Sequence, residues 1–129
     1  MSFVRGRLAP ADAAPGHGEQ VQRLADLGSV AVDQILSGRL DGPVDYCENE
    51  DEWVVVLHGA ATLSVDGEHM ELGPGDWVLL PARTPHRLVE THPGTSWLTV
   101  TAPAPAPPAA PAPSPAAGHP GDPEPSPSN

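Results

Sequence analysis

Lysine is absent from this chain of 129 residues, and six arginines stand against 17 acidic side chains, for a formal net charge of −11. Between Val30 and Thr101 the balance is 12 acidic residues against Arg39, Arg83 and Arg87. A surface so poor in cations cannot displace counterions from phosphates, which argues against nucleic acid as a partner. Anionic membrane surfaces are disfavoured by the same repulsion. A single cysteine, Cys47, rules out an internal disulfide framework and a multi-thiolate metal site. No stretch approaches the roughly 18 consecutive apolar residues of a membrane-spanning helix. The opening MSFVRGRLAPADAAPG lacks the unbroken apolar core of a secretory signal, so the expected location is the cytoplasm. Missing lysine beside abundant Ala, Gly, Pro and Arg points to a GC-rich bacterial source.

Large apolar residues are missing from a whole segment as well. The 28 residues 102–129 include 11 Pro and 8 Ala, and nothing apolar larger than Ala. Such a stretch cannot bury enough surface to offset the entropy of ordering it, and it is expected to be a disordered, extended tail. Residues 1–28 read as an N-terminal extension. Within it, Val21, Leu24 and Leu27 fall on one side of a short helix predicted over 17–27, with Gly28 as its stop.

Residues 29–101 carry a different signal. Short runs rich in Val, Leu, Trp and Thr are separated by Gly, Pro and Asp at regular spacing. They are Val30–Leu36, Val44–Tyr46, Trp53–His58, Ala61–Val65, His69–Leu72, Trp77–Leu80, His86–Thr91 and Ser96–Thr101. Asp66-Gly67 is a preferred pair for a tight type I′ hairpin, and Gly73-Pro74-Gly75-Asp76 is a second turn. Short strands with frequent turns predict an all-β sandwich or barrel. Alternation along a strand places Glu52, Val54, Val56 and His58 on one face, and His86, Leu88 and Glu90 on one face. If Glu52 and His86 point inward, their apolar neighbours line a cavity with them.

These residues carry a resemblance. Gly75, followed after five residues by Pro81, then Arg83, then Pro85-His86, resembles the second motif of the cupin family. Glu52, six residues and Gly59 resemble the end of the first motif, and a short hairpin lies between the two. The resemblance covers roughly residues 30–101. It implies a small antiparallel jelly-roll β-barrel of the small single-domain cupin type (the RmlC-like family), which commonly pairs as a homodimer through its sheets. The chain departs from the pattern in three places. Arg83 stands where the family usually has Gly, and Glu90 where it usually has Asn. The His-x-His expected before Glu52 is replaced, either by Tyr46-x-Glu48 or, counted one residue further back, by Asp45-x-Cys47.

The resemblance implies a metal-type site, and the residues present suggest Glu48, Glu52 and His86 as ligands of one divalent ion such as Mn, Fe, Ni or Zn. Two inward carboxylates would repel unless a metal or a proton neutralised one of them. The competing reading makes Glu48 and Glu52 part of a solvated acidic run, with no metal bound. Tyr46, Arg83 and Arg87 are candidates for holding a small-molecule ligand, the arginines through bidentate contacts to a carboxylate or phosphate or merely paired with the acidic surface. Cys47 is expected to be a small buried residue. His58, His69 and His92 are expected at the surface, and Trp53, Trp77 and Trp97 in packing or an interface. Three functions follow. One is a metal-dependent cupin, a dioxygenase or isomerase, acting on a small organic acid or polar metabolite. The second is a metal-free cupin that binds a small ligand as a sensor or accessory protein. The third is an isomerase-like site with His86 as general base.

Overall fold

The computed structural model describes residues 2–105. Nine strands run through them: β1 (Glu19–Leu27), β2 (Val30–Ser37), β3 (Val44–Tyr46), β4 (Glu50–His58), β5 (Ala61–Val65), β6 (Glu68–Leu72), β7 (Trp77–Leu80), β8 (His86–Thr91) and β9 (Thr95–Pro103). A 3-10 turn at Ala11–Ala13 is the one helical element among the described residues. The strands form two antiparallel sheets, in the orders β1-β2-β9-β4-β7 and β3-β8-β5-β6. After β4 the chain crosses to the second sheet for β5 and β6, returns for β7, crosses again for β8 and closes with β9. The two motifs therefore land on opposing sheets, Glu52 on β4 and His86 on β8. This is the jelly roll that the resemblance implies, within the all-β class that the strand spacing predicts.

The turns follow from their residues. Asp66 and Gly67 both have positive φ, 52° and 78°, and join β5 to β6 in a two-residue hairpin closed by the pair Val65 and Glu68. That is the mirror-image turn this dipeptide favours. Arg83 also sits in the left-handed region, at φ 62°. This accounts for the family's glycine at that position, since a side chain there is strained.

The helix expected over 17–27 is not formed. Residues 19–27 are the edge strand β1, paired with β2 from Glu19 opposite Ser37 to Leu27 opposite Val30. Gly28, at φ 65°, turns the chain in a hairpin rather than stopping a helix. A register shift between Arg23 and Ala25 makes Leu24 the odd residue, which is how apolar residues three apart came to mimic helical spacing. The sheets thus begin at β1, ahead of residue 29. At the other end β9 runs two residues past the expected boundary, with Ala102 and Pro103 opposite Asp51 and Glu50. The rest of the predicted tail, 106–129, lies outside the described residues.

Between the sheets Val54, Val56, Leu63, Leu80, Leu88 and Trp97 are buried and form the core with Ala61 and Leu72. Removing each large side chain from water contributes roughly 1.5–3 kcal/mol. Alternation fails at two bulges. On β4 the register shifts between Val56 and His58, so His58 turns outward and is exposed. Opposite β5 the register passes from Leu88 to Glu90, leaving Val89 as the extra residue. Glu90 is therefore exposed and Thr91 buried, so neither His58 nor Glu90 keeps the face that strict alternation gives it, and His58 stands at the surface as expected.

Candidate functional site

The inner face of the five-stranded sheet presents Glu19 and Val21 from β1, Ile35 and Ser37 from β2, Trp97 and Thr99 from β9, and Glu52 and Val54 from β4. Across from it stand Tyr46 of β3, Leu63 of β5, and His86 and Leu88 of β8. Together they enclose a cavity of about 230 Å³. Its floor is apolar, with Ile35, Val54, Leu63, Leu80, Leu88 and Trp97, and its rim is polar, with Glu19, Tyr46, Glu48, Glu52 and His86.

Local pairing sets each polar group. Tyr46 and His86 are register partners across β3 and β8, and their rings stack with centroids 5.6 Å apart and an interplanar angle of 17°. His86 Nδ1 lies 3.0 Å from the Thr84 carbonyl. A carbonyl only accepts, so Nδ1 carries the proton in that bond and Nε2 is left as the basic nitrogen. Glu52 is half-buried at the start of the apolar part of β4. Burial pushes its carboxyl above the ordinary 4.5; a positive charge on His86 works against that, and nearby Glu48 adds to it.

Glu19 joins the site from the edge strand. Its Oε2 accepts from the Ser37 hydroxyl at 2.6 Å and its Oε1 from the Tyr46 phenol at 3.2 Å. Ser37 in turn accepts from Trp97 Nε1 at 3.0 Å. A chain of four side chains thus links the buried core to the rim. Burial, followed by the Glu19 carboxylate, pushes the Tyr46 phenol up to about 12, so Tyr46 acts as a hydrogen-bond donor across the physiological range. Glu19 was missed in the sequence because its segment was read as helical. The Gly28-Ser29 turn between two runs of similar length, 19–27 and 30–37, is the signal that points to a hairpin there.

The loops of the two motifs are tied by backbone contacts. Arg83 N–H donates to the Glu48 carbonyl at 2.6 Å, and Ala82 N–H to Asp51 Oδ1 at 2.8 Å. Of the two ways of counting back from Glu52, Tyr46 and Glu48 reach the cavity, whereas Asp45 and Cys47 line only a neighbouring outer groove, which Tyr46 and His86 also border. Cys47 is exposed, contrary to the buried position expected of it.

The arginines do not reach the cavity. Arg87 lies in that outer groove and forks onto Asp45, with Nε–Oδ1 at 2.7 Å and a second contact at 3.2 Å. The Arg83 side chain is exposed, with one 3.4 Å contact to the Pro105 carbonyl. Of the expected set, Tyr46, Glu48, Glu52 and His86 come together in the cavity, while Arg87 shares only the neighbouring groove with Tyr46 and His86, and Arg83 lines neither.

A metal was the other expectation for this rim. Among the described residues no three His, Cys, Asp or Glu side chains are grouped so as to hold a metal ion. Glu48, Glu52 and His86 line one cavity without converging on a common point. The stacked phenol of Tyr46, committed to Glu19, supplies no replacement for an imidazole. The donor set does not fit the ion that the fold suggests.

The family is shown by comparison. The cupin domain family model matches residues 33–101, and the chain belongs to that family. Among solved structures, a candidate mannose-6-phosphate isomerase of Ralstonia eutropha JMP134 is 29% identical, with 77% of this chain and 100% of that chain covered at a TM-score of 0.64. A protein of unknown function from Rhizobium leguminosarum bv. viciae 3841 is 24% identical over 81% and 100% of the two chains, with a TM-score of 0.63. The cupin domain of an XRE family transcriptional regulator from Enterobacter cloacae is 18% identical over 70% and 100%, with a TM-score of 0.55. The last two, below a quarter identity, speak for the fold alone. No curated protein matches the chain. Among the described residues no helix is long and apolar enough to cross a membrane.

Proposed function

We propose that this cupin binds a small polar metabolite directly, without an intervening metal, in the cavity between its sheets. The observation that carries the reading is the rim itself: its donors and acceptors are spread around an apolar floor instead of focused on one point. A ligand's polar end meets Tyr46, Glu48, Glu52 and His86, and its apolar body meets Leu63, Leu88 and Trp97. Such a site suits a sensor or accessory protein. Two features favour proton transfer at the same place, as in an isomerase: the basic Nε2 of His86 and the Glu52 carboxyl, whose pKa burial raises. The isomerase-named relative of Ralstonia eutropha accords with that second reading.

A second copy of the chain is the proposed partner. The outer face of the five-stranded sheet is apolar where β4 meets β7, with Trp77 and Leu79 59% and 57% exposed and Trp53 stacked obliquely on Trp77. Pairing of two such faces would cover them.

Elemental analysis of tag-free protein tests the metal-free reading. Less than about a tenth of an equivalent is expected, with no rise in melting temperature on adding Mn²⁺, Fe²⁺ or Ni²⁺. A stoichiometric metal that is lost in both His86→Ala and Glu52→Ala would overturn it.

A further inference from the structure

We infer that the cavity selects a small organic cation, a protonated amine on a short apolar body, over an organic acid. The inference rests on the proposed binding site and adds the charge class of its ligand.

Charge around the cavity is one-sided. Three carboxyl side chains, Glu19, Glu48 and Glu52, stand on its rim, and none of the chain's six arginines lines it. Arg23 is the inner-face cation closest in register, and it is held by Asp33 at 2.7 Å and by Asp26 at 2.7 Å. Arg87 is held by Asp45 on the outer side. A carboxylate or phosphate entering the cavity would meet three carboxyl groups and no guanidinium, and the one imidazole on the rim, His86, is already coupled to Glu52. An ammonium would meet carboxylate acceptors, with the aromatic rings of Tyr46 and Trp97 also lining the cavity.

A second observation lies deeper. Thr99 is 4% exposed and faces the cavity, and its hydroxyl has no hydrogen-bond partner among the described residues. A buried hydroxyl is rarely left unpaired, so it is an open position for a ligand's polar group. The size of the cavity limits the ligand further. A volume of about 230 Å³ equals the share of roughly seven or eight waters in the liquid, at about 30 Å³ each. A few carbons and one or two polar groups fill it.

The three tryptophans make the test direct. Trp97 lines the cavity, and Trp53 and Trp77 lie on the opposite face of the same sheet. The ¹⁵N-labelled full chain is titrated at constant ionic strength with butylammonium, butyrate and 1-butanol, following the three indole N–H signals. Butylammonium is expected to move the Trp97 signal saturably and at the lowest concentration, leaving those of Trp53 and Trp77 in place. Glu52→Gln and Glu48→Gln should each weaken it by about tenfold, the effect of losing one charge-assisted contact, with 1-butanol unchanged. Butyrate acting at the same or lower concentration than butylammonium would overturn the cation inference and leave the ligand cavity standing. A Trp97 signal unmoved by all three probes would overturn both.

Discussion

Ser37 offers the sharpest energetic test of how the site is held. Its hydroxyl, 0% exposed, accepts from Trp97 Nε1 and donates to Glu19, which in turn receives the Tyr46 phenol. Replacing it with Ala strands the indole N–H inside the core, which costs about 1–3 kcal/mol. Glu19 is only half-buried, so water replaces much of the lost donor there, and we add about 0.5 kcal/mol for that side. The expected total is about 1.5–3.5 kcal/mol in urea denaturation, with the m-value unchanged. Trp97→Phe removes the donor that would be stranded. In that background Ser37→Ala should cost only about 0.5 kcal/mol, a coupling of about 1–3 kcal/mol. Equal costs in the two backgrounds would refute the chain from core to rim.

Glu52 sets a pH dependence. Its carboxyl holds its proton more tightly in the folded state than the ordinary 4.5, mainly through burial. The associated stability is present below that value and lost as pH rises through 4.5 toward the higher folded value. Glu52→Gln should therefore be more stable than the native chain at pH 7 but not at pH 4, and a variant less stable at pH 7 would contradict this. Arg83→Gly, at φ 62°, should gain about 0.5–1 kcal/mol in the same assay, because glycine adopts the left-handed region without strain; a loss would mean that the exposed side chain matters more than the backbone. Light scattering should give a dimer mass for the native chain and a monomer mass for the double variant Trp77→Glu, Leu79→Glu. A native monomer would remove the proposed pairing.

Strand spacing and turn chemistry were enough to read the barrel, because each of the eight expected strands has strong β formers between breakers and its interior residues alternate. Four of them, Val44–Tyr46, Ala61–Val65, Trp77–Leu80 and His86–Thr91, form with the bounds read from the sequence. The ninth, β1, was hidden. Its apolar residues Val21 and Leu27 are 61% and 64% exposed on an edge strand, so no buried face imposed an alternating pattern. Bulges were equally invisible: nothing in the residues of β4 or β8 marks Leu57 or Val89 as extra, yet these two shifts move His58 and Glu90 to the surface. The motif spacings correctly brought Glu52 and His86 to one cavity. Of the two readings open for the arginines, Arg87 follows the pairing with an acidic residue, Asp45, because sequence proximity to His86 does not fix the face a side chain occupies.

That last point explains why the cavity is acidic at all. Asp45 and Arg87 are register partners on the outer side, one step from Tyr46 and His86, which pair on the inner side. A one-residue slip of β8 would exchange Arg87 for His86 and turn an acidic cavity into one holding a guanidinium. What prevents the slip is Leu88. It is 5% exposed in the core and shares no charge with any ligand. Slipping would expose it, at roughly 1.5–3 kcal/mol, and would separate Arg87 from the solvent that hydrates it, a further cost of several kcal/mol for a charge taken from water. The polarity of the proposed ligand site therefore depends on the register that Leu88 helps to fix before it depends on any charged residue.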